Sequence, residues 1–298
     1  MPEPSRTADP SRPPDPPRPA PDDPARSVAA VRVVAIRAGT TEVRDDRVAG
    51  EAPLEIRAAG PGEPPVAVAV TMRTPGAEPE LAAGFLRTEG LIAGDDIAAF
   101  EIADPVDAAQ PDDTILVRLS HPFDASRVAE RHFVATASCG ICGKASIDEV
   151  VVRCDPIGPG PVVGASVLGS LPDRMRAAQA VFETTGGLHA AALFDRRGEL
   201  VALREDVGRH NALDKLVGSQ VLAGALPLAD LVVLVSGRVS FELVQKAAVA
   251  GVPILCAVSA PTDLAIEAAD RLGVTVVGFL RGDGANVYSH PERVDPAG

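Results

Sequence analysis

The sequence has few aromatic residues, few cysteines and no long hydrophobic run. Its 298 residues include no Trp, one Tyr and eight Phe, so stacking platforms for nucleic-acid bases are not expected. The apolar runs have strand length and fall short of the roughly 20 residues of a membrane span. Lys and Arg number 28 against 41 Asp and Glu, a net charge of −13. This balance argues against broad binding to nucleic acid or to an anionic membrane.

The amino-terminal segment lacks the features that direct a chain out of the cytoplasm. Residues 1–25 contain ten of the 28 prolines, with neither an apolar core nor a twin-arginine start. We expect residues 1–28 to form a disordered tail and the protein to be cytoplasmic, where thiols stay reduced. Four cysteines in a chain of this length do not form a disulfide framework.

Beyond the tail, the hydrophobic content of 46% and the mean hydropathy of +0.14 indicate a globular protein. A break rich in proline and glycine at residues 156–161 divides the chain in two. The part at residues 29–160 is predicted to be smaller and β-rich, and it carries a C-x-x-C motif. Its patterns predict one helix over residues 76–91 and strands over residues 31–36, 53–56, 66–72 and 114–119.

The part at residues 161–298 has the clearer pattern. Nearly continuous apolar runs at 231–235, 252–258 and 274–280 alternate with helical patterns at 241–250 and 264–272. This alternation is typical of parallel strands that are buried on both faces and joined by crossover helices. The sequence therefore predicts an α/β domain, a mixed sheet with helices on both faces. Before the first run we expect a helix over 173–182, a hairpin over 190–203 and a helix over 211–222.

Three of these strands end in loops that suit a charged ligand, and ligands bind at the carboxyl ends of parallel strands. The first strand leads into Ser236, Gly237 and Arg238, where backbone N–H groups and a guanidinium suit a phosphate or carboxylate. The other two lead into residues 259–263 and 281–286. Each loop alone is more simply a turn, but their convergence on one sheet edge favours a ligand site.

A dense polar cluster at residues 204–211 follows a predicted strand and opens a helix. In the simplest interpretation it is a solvated loop in which Asp206 caps the helix. That interpretation explains the acidic residues better than Arg204 and Arg209, which suit a phosphate-bearing ligand. His189 fits a half-buried structural histidine and a site residue equally well.

The sharpest motif is the C-x-x-C pair of Cys139 and Cys142, which is followed by Lys144. Two thiols at this spacing chelate zinc, cycle as a dithiol or carry sulfur as a persulfide. Zinc would need two more ligands, and Cys154 and Cys256 are single cysteines in apolar surroundings. The residues by themselves leave the three chemistries open.

Zinc-dependent deaminases also combine an α/β sheet with C-x-x-C. Their signature places H-x-E before P-C-x-x-C, and the glutamate shuttles protons. Here Ser138 precedes Cys139, and the comparable histidine, His189, follows the cysteines and lacks the glutamate. Deaminase chemistry is therefore not expected.

Several motifs together resemble the FdhD family of formate dehydrogenase accessory proteins, which act as sulfur carriers. The resemblance covers the chain from about residue 31 to residue 294. It is carried by Cys139-Gly140-Ile141-Cys142-Gly143, Thr185-Gly186-Gly187-Leu188-His189, the segment Arg204-Glu205-Asp206-Val207-Gly208-Arg209-His210-Asn211-Ala212-Leu213-Asp214-Lys215, Ser236-Gly237-Arg238 and Gly278-Phe279-Leu280-Arg281-Gly282.

The resemblance implies a carrier that accepts sulfur from a cysteine desulfurase and delivers it to the molybdenum of the bis(molybdopterin guanine dinucleotide) cofactor, its bound substrate, for apo formate dehydrogenase. Cys139 matches the persulfide-bearing cysteine and Cys142 its partner. The cofactor-binding stretch matches Phe279, Leu280, Arg281, Gly282, Asp283 and Gly284. The resemblance also implies a cytidine-deaminase-like second half without the zinc site, a homodimer and no structural metal.

In the resulting hypothesis, the anionic arms of the cofactor are held at the sheet edge by His189, Arg204, Arg209, Arg281 and the loop Ser236-Gly237-Arg238, and Asp283 accepts from the guanine edge. The protein would act as a sulfurtransferase-like carrier rather than as a multiple-turnover enzyme. Two alternatives are an escort that only binds the cofactor and a zinc-stapled nucleotide-binding module.

Overall fold

The structure is a computed structural model that describes residues 27–102, 114–128 and 154–298. Within these ranges lie a four-stranded sheet in the first part of the chain and a six-stranded sheet in the second. Cys139 and Cys142 fall outside the described residues, as do residues 1–26. No helix in the described ranges is long and apolar enough to cross a membrane.

A β-hairpin opens the described chain. Strand β1 (Val28–Arg37) pairs antiparallel with β2 (Thr40–Ala49) along its full length. Ala38 and Gly39 form the two-residue turn, both with positive φ, which is the geometry that matches the twist of a hairpin. The prediction of a first strand is confirmed, but the sequence analysis missed β2 because five charged residues interrupt its apolar alternation.

The four-stranded sheet has the order β4-β3-β6-β5, and β3 and β6 are parallel. Its strands are β3 (Ala52–Ala59), β4 (Val66–Arg73), β5 (Ile97–Ile102) and β6 (Thr114–Leu119). Helix α1 (Glu78–Thr88) buries Leu81 and Leu86 in one core with Leu54, Ile56 and Val117. The predicted helix and three of these strands are confirmed, and β5 was missed.

The six-stranded sheet has the order β13-β12-β11-β10-β8-β9. Strands β10, β11 and β12 are parallel, and β8, β9 and β13 run antiparallel to their neighbours, so the predicted mixed sheet is confirmed. The strands are β8 (His189–Phe194), β9 (Leu200–Asp206), β10 (Val232–Val235), β11 (Ile254–Ala257), β12 (Thr275–Arg281) and β13 (Gly284–Val287).

Helices cover both faces of this sheet, as predicted. Helices α4 (Arg209–Leu222), α5 (Phe241–Val249) and α6 (Asp263–Leu272) pack on one face, and α2 (Ala165–Ala178) packs on the other. The prediction of a helix over 173–182 is corrected: α2 starts eight residues earlier, and a short α3 (Ala180–Thr185) follows it. Gly169 and Pro172 weaken the helical pattern in the sequence of α2. The helix is stabilised by burial of Leu168, Leu171 and Met175 in the core.

The carboxyl terminus returns to the start of the second part. Strand β7 (Val163–Gly164) pairs parallel with β14 (Val294–Asp295), which follows a 3₁₀ turn at Pro291–Arg293. The domain boundary near residue 160 stays a prediction.

The two sheets are joined where α1 crosses α4. A Cβ atom on Gly84 of α1 would lie 1.8 Å from the carbonyl oxygen of Asp214, and a Cβ atom on Gly218 of α4 would lie 1.7 Å from that of Glu80. Only glycine allows two helices to approach this closely. The crossing therefore holds α1, which packs on the smaller sheet, directly against α4, which packs on the larger one.

Candidate functional site

The loops that follow β10, β11 and β12 meet at one edge of the sheet. The amide of Val239, after β10, donates to the carbonyl of Ala260 at 3.1 Å. The amide of Phe279, near the end of β12, donates to the carbonyl of Ser259, also at 3.1 Å. The three loops are therefore adjacent at one edge of the sheet, as their positions after parallel strands predicted.

His189 lies at this edge because β8 is antiparallel to β10, so the start of β8 adjoins the end of β10. Its Nδ1 is 3.4 Å from Oγ of Ser236, which accepts a hydrogen bond from the amide of Ala190 at 2.9 Å. A Cβ atom on Gly237 would stand 3.4 Å from the imidazole ring and 3.7 Å from Cδ of Arg209. The glycine thus leaves room for the imidazole of His189 and the side chain of Arg209 at the loop.

The protonation state of His189 follows from these neighbours. Partial burial, together with the positive charges of Arg209 and His210, lowers its pKa below the ordinary value. The neutral imidazole is therefore favoured at neutral pH, and it can exchange a hydrogen bond with Ser236 or with a ligand.

The beginning of α4 adds two more groups to the edge. His210 Nε2 lies 3.0 Å from Oε2 of Glu242 and 3.1 Å from Oγ of Ser240. The hydrogen bond from His210 lowers the pKa of Glu242. Sequence reasoning missed Ser240 and Glu242, because they stand at the start of α5, about 30 residues away from His210 in the chain.

Arg209 carries a buried nitrogen that has no protein partner in the described part of the chain. Its Nε is inaccessible to solvent and makes no hydrogen bond there. The Nε atoms of Arg57 in β3 and Arg87 in α1 share this property, so it is the position of Arg209 beside His189 and Gly237 that makes its guanidinium a candidate for an anionic ligand. Arg238, two residues beyond Ser236, is exposed at the same loop.

The predicted cofactor-binding stretch divides into a core residue and an exposed turn. Leu280 is 1% exposed and packs in the sheet core, so its side chain is not available to a ligand. Phe279 adopts a positive φ of 51° and is 44% exposed, a conformation that costs free energy for a bulky residue. Arg281, Gly282, Asp283 and Gly284 are all exposed.

Comparison with known proteins identifies the family of this chain. The profile of the FdhD/NarQ family matches residues 49–295 of the chain. The chain belongs to the FdhD/NarQ family. A sulfur carrier protein FdhD from Streptomyces avermitilis is 48% identical over 270 residues, covering 88% of this chain and 94% of that protein. A protein of the same name from Sulfurisphaera tokodaii is 43% identical over 269 residues, covering 90% and 99%.

A solved structure extends the FdhD/NarQ comparison to the fold. The crystal structure of a candidate formate dehydrogenase accessory protein from Desulfotalea psychrophila is similar with a TM-score of 0.67 and 25% identity, covering 90% of this chain and 99% of that one. A guanine deaminase from Nitrosomonas europaea covers 43% of this chain at a TM-score of 0.31. A TM-score this low does not establish a shared fold, so the likeness to cytidine deaminases stays a prediction.

Arg204 pairs with Ala191 in the ladder of β8 with β9, and its guanidinium is bound by groups of the protein. Its Nε and Nη2 donate to the two carboxylate oxygens of Glu80 in α1, at 2.5 Å and 2.7 Å, and its Nη1 donates to the carbonyl of Leu203 at 2.7 Å. A bidentate pair of this kind is strong and directional. The structure thus places Arg204 in the contact between the two sheets where α1 meets α4 and β9. This contact is called the joint below.

Asp206 belongs to the same joint. Its carboxylate is fully buried and accepts from the amide of Thr74 at 3.1 Å, from Lys215 Nζ at 2.8 Å and from the amide of Gly208 at 2.8 Å. The expectation that Asp206 caps the helix is corrected, since Gly208 is the N-cap residue of α4. Thr74 lies across the joint, and Lys215 also reaches Thr74 there by donating from Nζ to its carbonyl at 2.8 Å.

A third buried charge centre completes the joint and had no signal in the sequence. Lys246 Nζ lies 2.9 Å from both carboxylate oxygens of Asp214, 2.9 Å from Glu89 and 2.9 Å from the hydroxyl of Thr88. Burial alone would lower the pKa of Lys246, but the two carboxylates outweigh it and raise the pKa. The lysine therefore stays charged inside the protein.

The described cysteines are poor nucleophiles. Burial raises the pKa of Cys256 to about 12 and also raises the pKa of Cys154. Since the thiolate is the reactive form, neither thiol is suited to sulfur transfer. Within the described residues no cluster of metal-ligating side chains occurs.

Proposed function

We propose that this protein carries sulfur for formate dehydrogenase and loads it onto the enzyme's molybdenum cofactor. Membership of the FdhD/NarQ family and relatives named sulfur carrier protein FdhD support the carrier role. The observation that carries the cofactor assignment is the clustering of Arg209, His189 and Gly237 at the sheet edge, where a Cβ atom on Gly237 would stand 3.4 Å from the imidazole ring and 3.7 Å from Cδ of Arg209.

The substrate is the bis(molybdopterin guanine dinucleotide) form of the cofactor, whose diphosphates are anionic. Arg209, Arg238 and Arg281 supply cationic donors at the sheet edge, and the loop at Ser236 and Gly237 adds backbone amides. Local positive charge of this kind offsets the net charge of −13 on the chain. Asp283, exposed on the turn after β12, accepts from the guanine edge.

The sulfur travels on Cys139. Its thiolate attacks the terminal sulfur of the persulfide on a cysteine desulfurase, so that the sulfur–sulfur bond of the desulfurase breaks and its cysteine leaves as a thiolate. Cys142 then attacks Sγ of Cys139 and releases the terminal sulfur as hydrosulfide to the bound cofactor. The product is a Cys139–Cys142 disulfide, which a cellular thiol reductant returns to the dithiol.

The partners follow from this chemistry. A cysteine desulfurase supplies the sulfur and apo formate dehydrogenase receives the loaded cofactor, both in the cytoplasm. The carrier itself acts as a homodimer. Among the four cysteines, the high pKa values of Cys154 and Cys256 leave the C-x-x-C pair as the nucleophiles.

Intact-protein mass spectrometry after incubation with a cysteine desulfurase and cysteine tests the sulfur step. The parent is expected to gain about one sulfur mass that a thiol reductant removes, and Cys139→Ala is expected to gain none. Cys256→Ala is the matched control and is expected to gain sulfur as the parent does. A parent without added sulfur, or a Cys139→Ala variant that still supports formate dehydrogenase activity, would favour a cofactor escort instead.

A further inference from the structure

Helix α2 lies directly against the turn between β12 and β13. A Cβ atom on Gly169 would stand 1.7 Å from the carbonyl oxygen of Gly282, far inside contact distance. The backbone of the helix therefore touches the backbone of the turn at this point. Leu168 and Leu171 on either side are 1% exposed and anchor the helix to the sheet.

Just before the turn, the amide of Phe279 is held by the carbonyl of Ser259 at 3.1 Å, but the described contacts of residues 281–284 themselves are few. Arg281 pairs with Gly284 in the ladder, but the pairing of β12 with β13 is irregular between Gly278 and Arg281. Every residue of β13 is exposed, and a Cβ atom on Gly282 would meet nothing within 4 Å. The position of the turn thus depends on the helix that packs against it.

We propose that Gly169 is a positioning residue for ligand binding, because it lets α2 set the position of the turn at Arg281–Gly284. This inference rests on the proposed function, in which the turn binds a guanine nucleotide arm of the cofactor. A side chain at position 169 would push the Gly282 carbonyl outward and displace Arg281 and Asp283 with it. Gly169 itself does not touch the ligand.

The test compares Gly169→Ala with Gly84→Ala in the full-length protein. Both substitutions place a methyl group within 2 Å of a backbone oxygen, so both lower the melting temperature. Guanosine diphosphate is the binding probe, measured by calorimetry. We expect Gly169→Ala to weaken its binding at least tenfold and Gly84→Ala to change it less than threefold.

Hydrogen exchange gives a readout that needs no ligand. Amide exchange in the peptide spanning residues 279–284 should accelerate in Gly169→Ala and stay at the parent rate in Gly84→Ala. Equal exchange of this peptide in the two variants would overturn the positioning role, even if the parent binds the nucleotide. A parent that does not bind the nucleotide would overturn the cofactor assignment and this inference together.

A second pair keeps the test decisive if either glycine variant fails to fold. Leu168→Ala loosens α2 and Leu86→Ala loosens α1 by the same deletion at residues that are 1% and 0% exposed. We expect Leu168→Ala to weaken nucleotide binding and to accelerate exchange at residues 279–284 more than Leu86→Ala does. The same response in both variants would contradict the proposal.

Discussion

The segment at residues 204–211 supplies charged residues to two regions, the joint between the two sheets and the carboxyl edge of the larger sheet. The two regions differ in whether those charges have protein partners. In the joint, Arg204 and Asp206 have protein partners at hydrogen-bond distance. At the edge, Arg209 retains a buried nitrogen without a protein acceptor among the described residues. One dense polar motif therefore contains side chains with buried protein partners and a side chain that, under the proposed function, contacts a ligand.

The difference has an energetic basis. A buried charge is tolerated only when its partner compensates for lost hydration, as Asp214 does for Lys246. A cation that is partly exposed keeps some hydration and can exchange it for an anionic ligand. We therefore expect substitutions in the joint to change stability and substitutions at the edge to change binding.

The largest effect is expected from Lys246→Ala. The variant leaves the carboxylate of Asp214 buried without its cation, so the free energy of unfolding should fall by about 3 to 5 kcal/mol. Urea denaturation followed by circular dichroism measures it. Glu183→Ala removes a carboxylate that is 74% exposed and paired with Arg176, and it should cost under about 1 kcal/mol. Equal costs for the two variants would refute the contrast.

Arg204→Ala is expected to change stability and Arg209→Ala is expected to change binding, so the two variants test the contrast most directly. Arg204→Ala deprives Glu80 of a bidentate partner and should lower the free energy of unfolding by about 1.5 to 3 kcal/mol, with guanosine diphosphate affinity unchanged. Arg209→Ala should weaken that affinity about tenfold, or about 1.4 kcal/mol, with stability nearly unchanged. Calorimetry and urea denaturation are carried out on both variants. If Arg204→Ala weakens binding and Arg209→Ala lowers stability, the assignment of the two arginines is wrong.

Gly218→Ala tests the crossing of α1 and α4. The added methyl group meets the carbonyl oxygen of Glu80, and overpacking of this kind typically costs about 1 to 3 kcal/mol. Thermal unfolding of this variant should show a clear loss, whereas Gly224→Ser, at a glycine with open space around it, tests only the strain of positive φ. A Gly218→Ala variant as stable as the parent would mean that the helices can separate at little cost.

The smallest effect concerns pH. The pKa of His189 is lowered by burial and by Arg209 and His210, so its contribution to stability is present above the unfolded pKa of about 6.5 and is lost as pH falls toward the folded pKa. Urea denaturation at several pH values should show a smaller loss on acidification in His189→Gln than in the parent.

His121 provides a control of opposite sign. The hydrogen bond to Asp96, at 2.6 Å, raises the pKa of His121, so its contribution is present below about 6.5 and is lost as pH rises through the folded pKa. In His121→Gln, the free energy of unfolding should therefore fall less than in the parent as the pH rises above about 6.5. The same change in both variants would mean that the titration of neither histidine controls the profile.

Much of the larger sheet was predictable, and the division of its polar motif was not. Apolar runs at β10, β11 and β12 mark buried parallel strands because both of their faces need apolar residues. β2 was missed because it is solvent-exposed and charged, and α2 was placed late because Gly169 and Pro172 interrupt its pattern. The partners Glu80, Thr74 and Glu89 lie more than 120 residues from the side chains they bind, and no local spacing reveals such contacts.

The joint also determines how the protein should respond to proteolytic cleavage and to the exchange of segments with a relative. A break of the peptide bond anywhere between residues 129 and 153 would leave Glu80 and Glu89 on one fragment and their partners Arg204 and Lys246 on the other. Separation would also expose the close contact of α1 with α4 at Gly84 and Gly218 to water, so we expect the two fragments to remain bound as a nicked complex. For the same reason, a chimaera with a relative would need Glu80 with Arg204, and Gly84 with Gly218, to be inherited together.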